Sequence, residues 1–152
     1  MGAPTEVEMQ EKKLRIEDAL SATKAAVLNG IVAGGGTALL KCTPALTTLA
    51  ENESGDIKLG VQIIQKAIEA PTRQIAKNAH VDDGVVVKTI LDNLNINWGY
   101  DALNNVYCDM LTCGIIDPSK VTLSAIQSAV SVASTLLSTE CLVVSKNTEN
   151  AN

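Results

Sequence analysis

The stretch Thr5 to Gly36 constrains this chain more than any other, because a run with helix signals at both ends leads into the triple glycine Gly34-Gly35-Gly36. Thr5-Glu6-Val7-Glu8 has the Ser/Thr-x-x-Glu form of a capping box, in which a hydroxyl and a carboxylate satisfy amides left free at a helix start. Glu6 and Glu8 sit where the helix dipole favours acids. Ile16, Leu20, Thr23 and Val27, with Ala19 and Ala26 beside them, recur every three to four residues and line one face. Gly30 is the expected left-handed stop. Some 24 residues at about 1.5 Å each make a rod of roughly 36 Å, long enough to span two parts of a larger molecule.

With 152 residues the chain is one domain's worth, enough for a single core plus an extension. Its balance is acidic, 17 Asp and Glu against 12 Lys and Arg, with no basic run and only one Trp and two Tyr to stack on bases. That excludes nucleic acid as the expected partner. No membrane partner is expected either, since no apolar run reads as membrane-spanning and the start lacks the pattern of a signal peptide. Cys42, Cys108, Cys113 and Cys141 form no CxxC pair and His80 has no ligand neighbour at a useful spacing, so reduced thiols and no metal site are expected. Phe is absent. Packing therefore falls to Ala, Val, Leu and Ile between closely spaced helices.

After the glycines, Thr37 to Cys42 and Pro44 to Ala50 read as helix restarted at Thr43-Pro44. Glu51 to Asp56 reads as a polar loop. Ile57 to Ala70 reads as an amphipathic helix with Leu59, Ile63, Ile64, Ala67 and Ile68 inward, ended by Pro71. Pro71 opens a further helix to Ala79, and Asp82 or Asp83 caps one carrying Val85, Val86, Val87, Ile90 and Leu91. Trp98-Gly99-Tyr100 and Val106-Tyr107 suggest a small hairpin. Asp117-Pro118 reads as N-cap and first residue of a long helix burying Val121, Ala125, Ala129, Val132, Ala133 and Leu136. Cys141 to Val144 reads as a C-terminal strand, followed by a disordered tail. The fold class expected is mainly α, with a small β hairpin and that strand.

Three features carry chemistry, each with a plainer alternative. The triple glycine lets a ligand approach backbone closely and leads into a helix whose first amides attract anions; it also suits a purely structural turn. It is no Walker loop, lacking Gly-Lys-Ser/Thr, and no dinucleotide fingerprint, because a helix rather than a strand is read before it. Asp18, placed mid-helix against its propensity, is a general base for a water or one charge on a solvated face. Asp117 caps a helix or touches a sugar hydroxyl.

Larger blocks narrow these choices. Glu6-Val7-Glu8-Met9, Glu11-Lys12-Lys13, Arg15-Ile16-Glu17-Asp18-Ala19-Leu20, Val32-Ala33-Gly34-Gly35-Gly36, Glu69-Ala70-Pro71, Arg73-Gln74-Ile75, Gly99-Tyr100-Asp101-Ala102, Gly114-Ile115-Ile116-Asp117-Pro118-Ser119-Lys120-Val121-Thr122 and Thr139-Glu140-Cys141 follow one another in order. Together they strongly resemble the C-terminal part of a group I chaperonin of the GroEL type, over nearly the whole chain.

The resemblance implies a fragment: residues 2–29 as the returning segment of an intermediate domain, 30–144 as the C-terminal half of an equatorial ATP-binding domain, and 145–152 as tail. It implies Asp18 as the acid that activates the attacking water in ATP hydrolysis, Gly35 against the nucleotide, Asp101 and Ala102 near the adenine, Ile115 beside the base and Asp117 at the ribose hydroxyls. Gly30 would be the hinge of a mobile arm. ATP with magnesium is the implied cofactor, with the phosphate and metal ligands upstream of this chain. The implied partners are the other subunits of a homo-oligomeric double ring, and unfolded client proteins and a co-chaperonin held by an upstream apical domain. The parent would be an ATPase, the isolated fragment inactive.

Some residues depart from that pattern. Asp101 stands where such proteins usually have Asn, Leu103 replaces a small residue, Pro44 interrupts a helix, and the end Asn-Thr-Glu-Asn-Ala-Asn replaces Gly-Gly-Met repeats. The divergent end points to an organelle matrix, mitochondrial before plastid, with bacterial cytoplasm as the alternative. Two other classes stand beside this one: a non-catalytic helical interaction domain of chaperonin ancestry, and a dinucleotide-binding oxidoreductase, which would need a strand before the glycines.

Overall fold

A computed structural model describes residues 2–144. Its elements are α1 (Glu6–Asn29), β1 (Ile31–Ala33), α2 (Thr37–Leu40), α3 (Thr43–Asn52), α4 (Gly55–Ala67), α5 (Ala70–Asn78), α6 (Asp83–Asp92), β2 (Trp98–Asp101), β3 (Val106–Asp109), β4 (Ile116–Pro118) and α7 (Ser119–Leu137). The fold is mainly α, as caps and periodicity predict. Two compact units divide it, Met1–Thr122 and Leu123–Asn152.

Local chemistry sets the helix ends. The Thr5 hydroxyl accepts from the Glu8 amide at 3.3 Å, and the Asp82 carboxylate accepts from Gly84 and Val85 at 2.9 and 3.1 Å, so the N-caps expected at these two helices form. Gly30 stops α1 at φ 82°, ψ 178°, its N–H donating to Ala26 O at 2.8 Å. The backbone is positive-φ but extended rather than left-handed helical, a region only glycine enters readily. Lys41 Nζ reaches the last carbonyls of α6, donating to Ile90 O and Asn93 O at 2.6 Å each, with burial lowering its pKa.

The core joins α2, α5, α6 and β2 through Leu40, Ala76, Val86, Val87, Ile90 and Tyr100, with Val81, Leu91, Ala102 and Tyr107 packed against it. The expected hairpin forms: β2 and β3 are antiparallel, with Tyr100 opposite Tyr107 and their rings 5.3 Å apart. Such a cross-strand aromatic pair stabilises a two-stranded sheet that would be marginal alone.

Several expectations need correction. A strand does precede the glycines: β1 pairs with β4 in a second antiparallel sheet, Ile31 opposite Pro118 and Ala33 opposite Ile116. Asp117 and Pro118 consequently belong to β4, and the last helix starts at Ser119, so Asp117 is a ladder residue opposite Val32 rather than an N-cap. The polar loop shrinks, because α3 runs to Asn52 and α4 starts at Gly55. In α4 the buried positions are Val61 and the following Ile68, while Leu59 and Ile63 are exposed; the helix carries two apolar stripes and only one has a partner. No residue of α1 or of α7 is buried, so neither periodic face is covered among the described residues.

At 19 residues and mean hydropathy 1.2, α7 is also long and apolar enough to cross a membrane by length and composition, where no such run is expected from the sequence pattern. Interspersed serines hide that length, and Ser124, Ser128, Ser131 and Thr135 fall along one side at helical spacing, which makes the helix amphipathic. Cys141 to Val144 has no regular structure, since a strand exists only with a partner to bond. The expected tail, 145–152, lies outside the described residues.

Candidate functional site

The site is built where α1 ends. Beyond Gly30, the three residues of β1 carry the chain into the glycine turn, and β4 runs beside them. Hydrogen bonds extend the β1–β4 ladder at both ends: Gly34 N–H donates to Ile115 O at 2.9 Å, and Ser119 N–H donates to Gly30 O at 3.1 Å. The Ser119 hydroxyl adds a bond to Asn29 O at 2.6 Å, fastening the end of α1 to the start of α7.

Each glycine of the turn has its own reason. A Cβ on Gly34 would lie 3.0 Å from Ile115 O, and one on Gly36 would lie 2.6 Å from Thr72 Oγ1. Gly35 and Gly36 also hold φ of +65° and +77°. Protein atoms thus explain Gly34 and Gly36 without a ligand. Gly35 differs, since its added Cβ would meet the flexible tip of Met110 at 3.1 Å. Thr72 clamps the turn by donating its hydroxyl to Gly35 O at 3.3 Å.

A second segment supports the first. Met110 is fully buried; its N–H donates to Asn97 O at 2.9 Å, and its own carbonyl accepts from Ile115 N–H at 2.9 Å. Met110 thus touches both Gly35 and Ile115, and Tyr100 O lies 4.0 Å from where a Cβ on Gly35 would stand. The connecting residues Thr37, Thr72, Gly99 and Met110 were not singled out from sequence. Gly99 and Met110 sit close because Gly99 has no Cβ: one added there would lie 2.5 Å from Met110 Cγ and 2.5 Å from Thr37 Oγ1. The Thr37 hydroxyl is buried with no partner among the described residues. A threonine directly after the glycines is the signal that would have found it; nothing in sequence points to Thr72.

Asp101 is buried, and its carboxylate is engaged within the hairpin turn. It accepts from Leu103 N–H at 2.9 Å, Asn104 N–H at 3.3 Å and Asn104 Nδ2 at 2.7 Å. The Asn104 amide, and then the two backbone donors, hold its pKa below the ordinary carboxylate value against the opposing effect of burial. Asp101 thus shapes the turn that presents half-buried Ala102 to the core. Asp117 is half-buried in β4 and makes no ion pair among the described residues.

Asp18 is not brought to this cluster. It is exposed on α1, roughly 18 Å along the helix from Gly30. The expected anion-binding helix after the glycines is reduced to the four residues of α2, whose first N–H is taken by Gly34 O at 3.1 Å. The residues present thus suit the base and sugar end of a nucleotide: a close-approach glycine, an apolar Ile115 and an uncommitted Asp117.

A helical unit with two short antiparallel ladders and a clamped glycine turn is the frame in which these residues sit. The sequence model of the TCP-1/cpn60 chaperonin family matches residues 1–147. The chain belongs to the TCP-1/cpn60 chaperonin family. Membership carries a role in protein folding, exercised in an assembly with other subunits and on client proteins.

Proposed function

We propose that this chain is the C-terminal part of a group I, GroEL-type chaperonin subunit and forms one wall of its ATP site. The observation that supports this most directly is the Gly34–Ile115 hydrogen bond, which sets the glycine turn beside the ladder that carries Asp117. In this reading Gly35 lets the nucleotide approach the backbone, Ile115 and Ala102 give the base an apolar surface, and Asp117 accepts from the ribose hydroxyls. Asp101 contributes through the turn it holds. Bound with magnesium, ATP would supply the phosphoanhydride whose hydrolysis drives the folding cycle. Its phosphates and metal would be held by residues outside this chain.

Asp18 would be the acid that orients and deprotonates the attacking water. It reaches the site only if α1 swings, and Gly30 can absorb that change because its φ of 82° already lies where other residues are strained.

Thermal unfolding of this chain with and without magnesium ATP, beside Asp117→Ala, tests the wall. A rise in midpoint that the substitution removes is expected. In the full-length protein, Asp18→Ala should keep ATP binding and slow hydrolysis by orders of magnitude; unchanged turnover would refute its role. A non-catalytic helical interaction domain is the second reading, favoured by the internal engagement of Asp101. Absence of any ATP-dependent shift, here and in the full-length protein, would support it.

A further inference from the structure

The step Asn29-Gly30 is the one Asn-Gly pair in the sequence, and every other asparagine that has a successor is followed by a residue carrying a side chain. It lies at the end of α1, where both residues are exposed and the Asn29 carboxamide makes no hydrogen bond among the described residues. Glycine leaves its own backbone nitrogen uncrowded, and nothing lies within 4 Å of where a Gly30 Cβ would stand. One bond occupies that nitrogen: Gly30 N–H donates to Ala26 O at 2.8 Å. Ser119 holds the carbonyls on either side, its hydroxyl donating to Asn29 O at 2.6 Å and its N–H to Gly30 O at 3.1 Å. No residue of α1 is buried, so these hydrogen bonds rather than packing close its last turn.

We propose that Asn29 is a site of spontaneous deamidation, with water as co-reactant, opened when the last turn of α1 releases the Gly30 nitrogen and held in check by Ser119.

Freed from Ala26 O, the Gly30 nitrogen gives up its proton and attacks Cγ of Asn29. A new C–N bond forms, the bond from Cγ to the side-chain nitrogen breaks, and that nitrogen leaves with the proton as ammonia. The product is a five-membered succinimide. Water then adds to one of its two carbonyls: cleavage between Cγ and the Gly30 nitrogen gives aspartate, and cleavage between the Asn29 carbonyl carbon and that nitrogen gives isoaspartate. Overall a water is consumed and an ammonia released, with nothing oxidised. While the Gly30 N–H is donated to Ala26 O, its proton is harder to lose and the turn keeps the nitrogen from closing on Cγ. Helix ends fray at little cost, so the closed site reacts slowly and is not inert. Either product sets a carboxylate at the C-terminal end of α1, where the helix dipole disfavours it. Isoaspartate also adds a carbon to the main chain and turns the carbonyl that the Ser119 hydroxyl bonds into a free carboxylate, which loosens the fastening of α1 to the start of α7.

The test is to age the full chain at neutral pH, in buffer and in concentrated urea, then to digest it with trypsin at mildly acidic pH and weigh the peptides by mass spectrometry. Lys24 and Lys41 bound the peptide Ala25–Lys41, in which Asn29 is the only Asn and Gln is absent, so an amide-to-acid mass change there reports this site alone. The expected product is that peptide in two chromatographic forms, aspartate and isoaspartate, appearing several-fold more slowly in buffer than in urea. Ser119→Ala should speed conversion several-fold in buffer and leave the rate in urea unchanged, whereas Ser119→Thr, which keeps the hydroxyl, should stay near the parent. Arg73→Met removes contacts with Glu69 and Asp83, away from α1, and should also stay near the parent. With the unaltered chain alone, equal rates in buffer and urea, or no conversion in buffer once the urea sample has fully converted, would overturn the proposal. So would an unchanged rate in Ser119→Ala, or an equal acceleration in Arg73→Met, which would mean that global unfolding and not release of the last turn exposes the nitrogen.

Discussion

The side-chain amide of Asn104 donates to the carboxylate of Asp101 at 2.7 Å, and this bond, more than any other, holds Asp101 ionised below its ordinary pKa. A folded-state pKa below the unfolded one means that the contribution is fully present above the unfolded value, about 3.9, and is lost as pH falls through the folded value. Asp101→Asn keeps one oxygen for the Leu103 amide and cannot titrate. The variant should therefore be less stable than the parent at pH 7, with the difference shrinking as pH is lowered below about 4. Thermal midpoints of both proteins across that range check it; a gap that stays constant to pH 2.5 would show that the Asn104 bond is not what stabilises the charge.

Glycines at three positions separate strain from contact. Gly60 lies inside α4 with open space where its Cβ would be, so Gly60→Ala should raise stability by about 0.5–1 kcal/mol. Gly30 also faces open space but holds φ of +82°, so its replacement by Ala should cost strain alone, about 1–3 kcal/mol. Gly36 combines φ of +77° with a contact of 2.6 Å to Thr72 Oγ1, and its loss should exceed that of Gly30 by about 1–3 kcal/mol of overpacking. Urea unfolding of the three variants ranks them; equal losses at 30 and 36 would mean that Thr72 yields freely.

Arg73 ties α5 back to Glu69 and across to the start of α6. It donates to Glu69 Oε2 at 2.8 and 3.0 Å and to Asp83 Oδ2 at 2.7 Å, lowering the Asp83 pKa. All three side chains are about two-thirds or more covered, unlike the exposed Lys13–Glu17 pair on α1. Arg73→Met should cost about 1 kcal/mol, at the upper end for a pair near the surface, and Glu17→Gln only a few tenths. Raising the salt concentration should narrow the difference between the two. Denaturant midpoints at low and high salt measure this, and equal costs would reduce Arg73 to an ordinary surface charge.

Features decided within a few residues were legible in the sequence. Thr5, Gly30 and Asp82 cap the helices they were expected to cap, and the Trp98 to Tyr107 region forms its hairpin. The β1–β4 ladder was not legible, because strands of three residues show no alternation and their partners lie far apart in sequence. That omission also turned Asp117 from a ladder residue into a supposed cap. Periodicity was misleading in α4, where Leu59 and Ile63 form a second apolar stripe beside Val61 and Ile68. A stripe shows that a helix has an apolar face without showing which partner covers it. For the site, the glycine turn and Ile115 stood out as residue types, but the turn that engages Asp101 and the clamp by Thr72 depend on side-chain placement.

The uncovered stripes make a last prediction. Along α7, Val121, Val132 and Leu136 are 54%, 61% and 59% exposed, and Leu20 and Val27 on α1 are 53% and 81% exposed. Burying one such side chain is worth about 1.5–3 kcal/mol, so several together favour association at ordinary protein concentrations. The chain should bind a hydrophobic dye and show a scattering mass that grows with concentration. Val132→Glu with Leu136→Glu should reduce both, yet leave the unfolding midpoint nearly unchanged because neither side chain belongs to the core of Leu40, Val86 and Ile90. If the double variant unfolds several degrees earlier, α7 packs against that core in solution; if the parent chain is monomeric and takes up no dye, its apolar faces are covered.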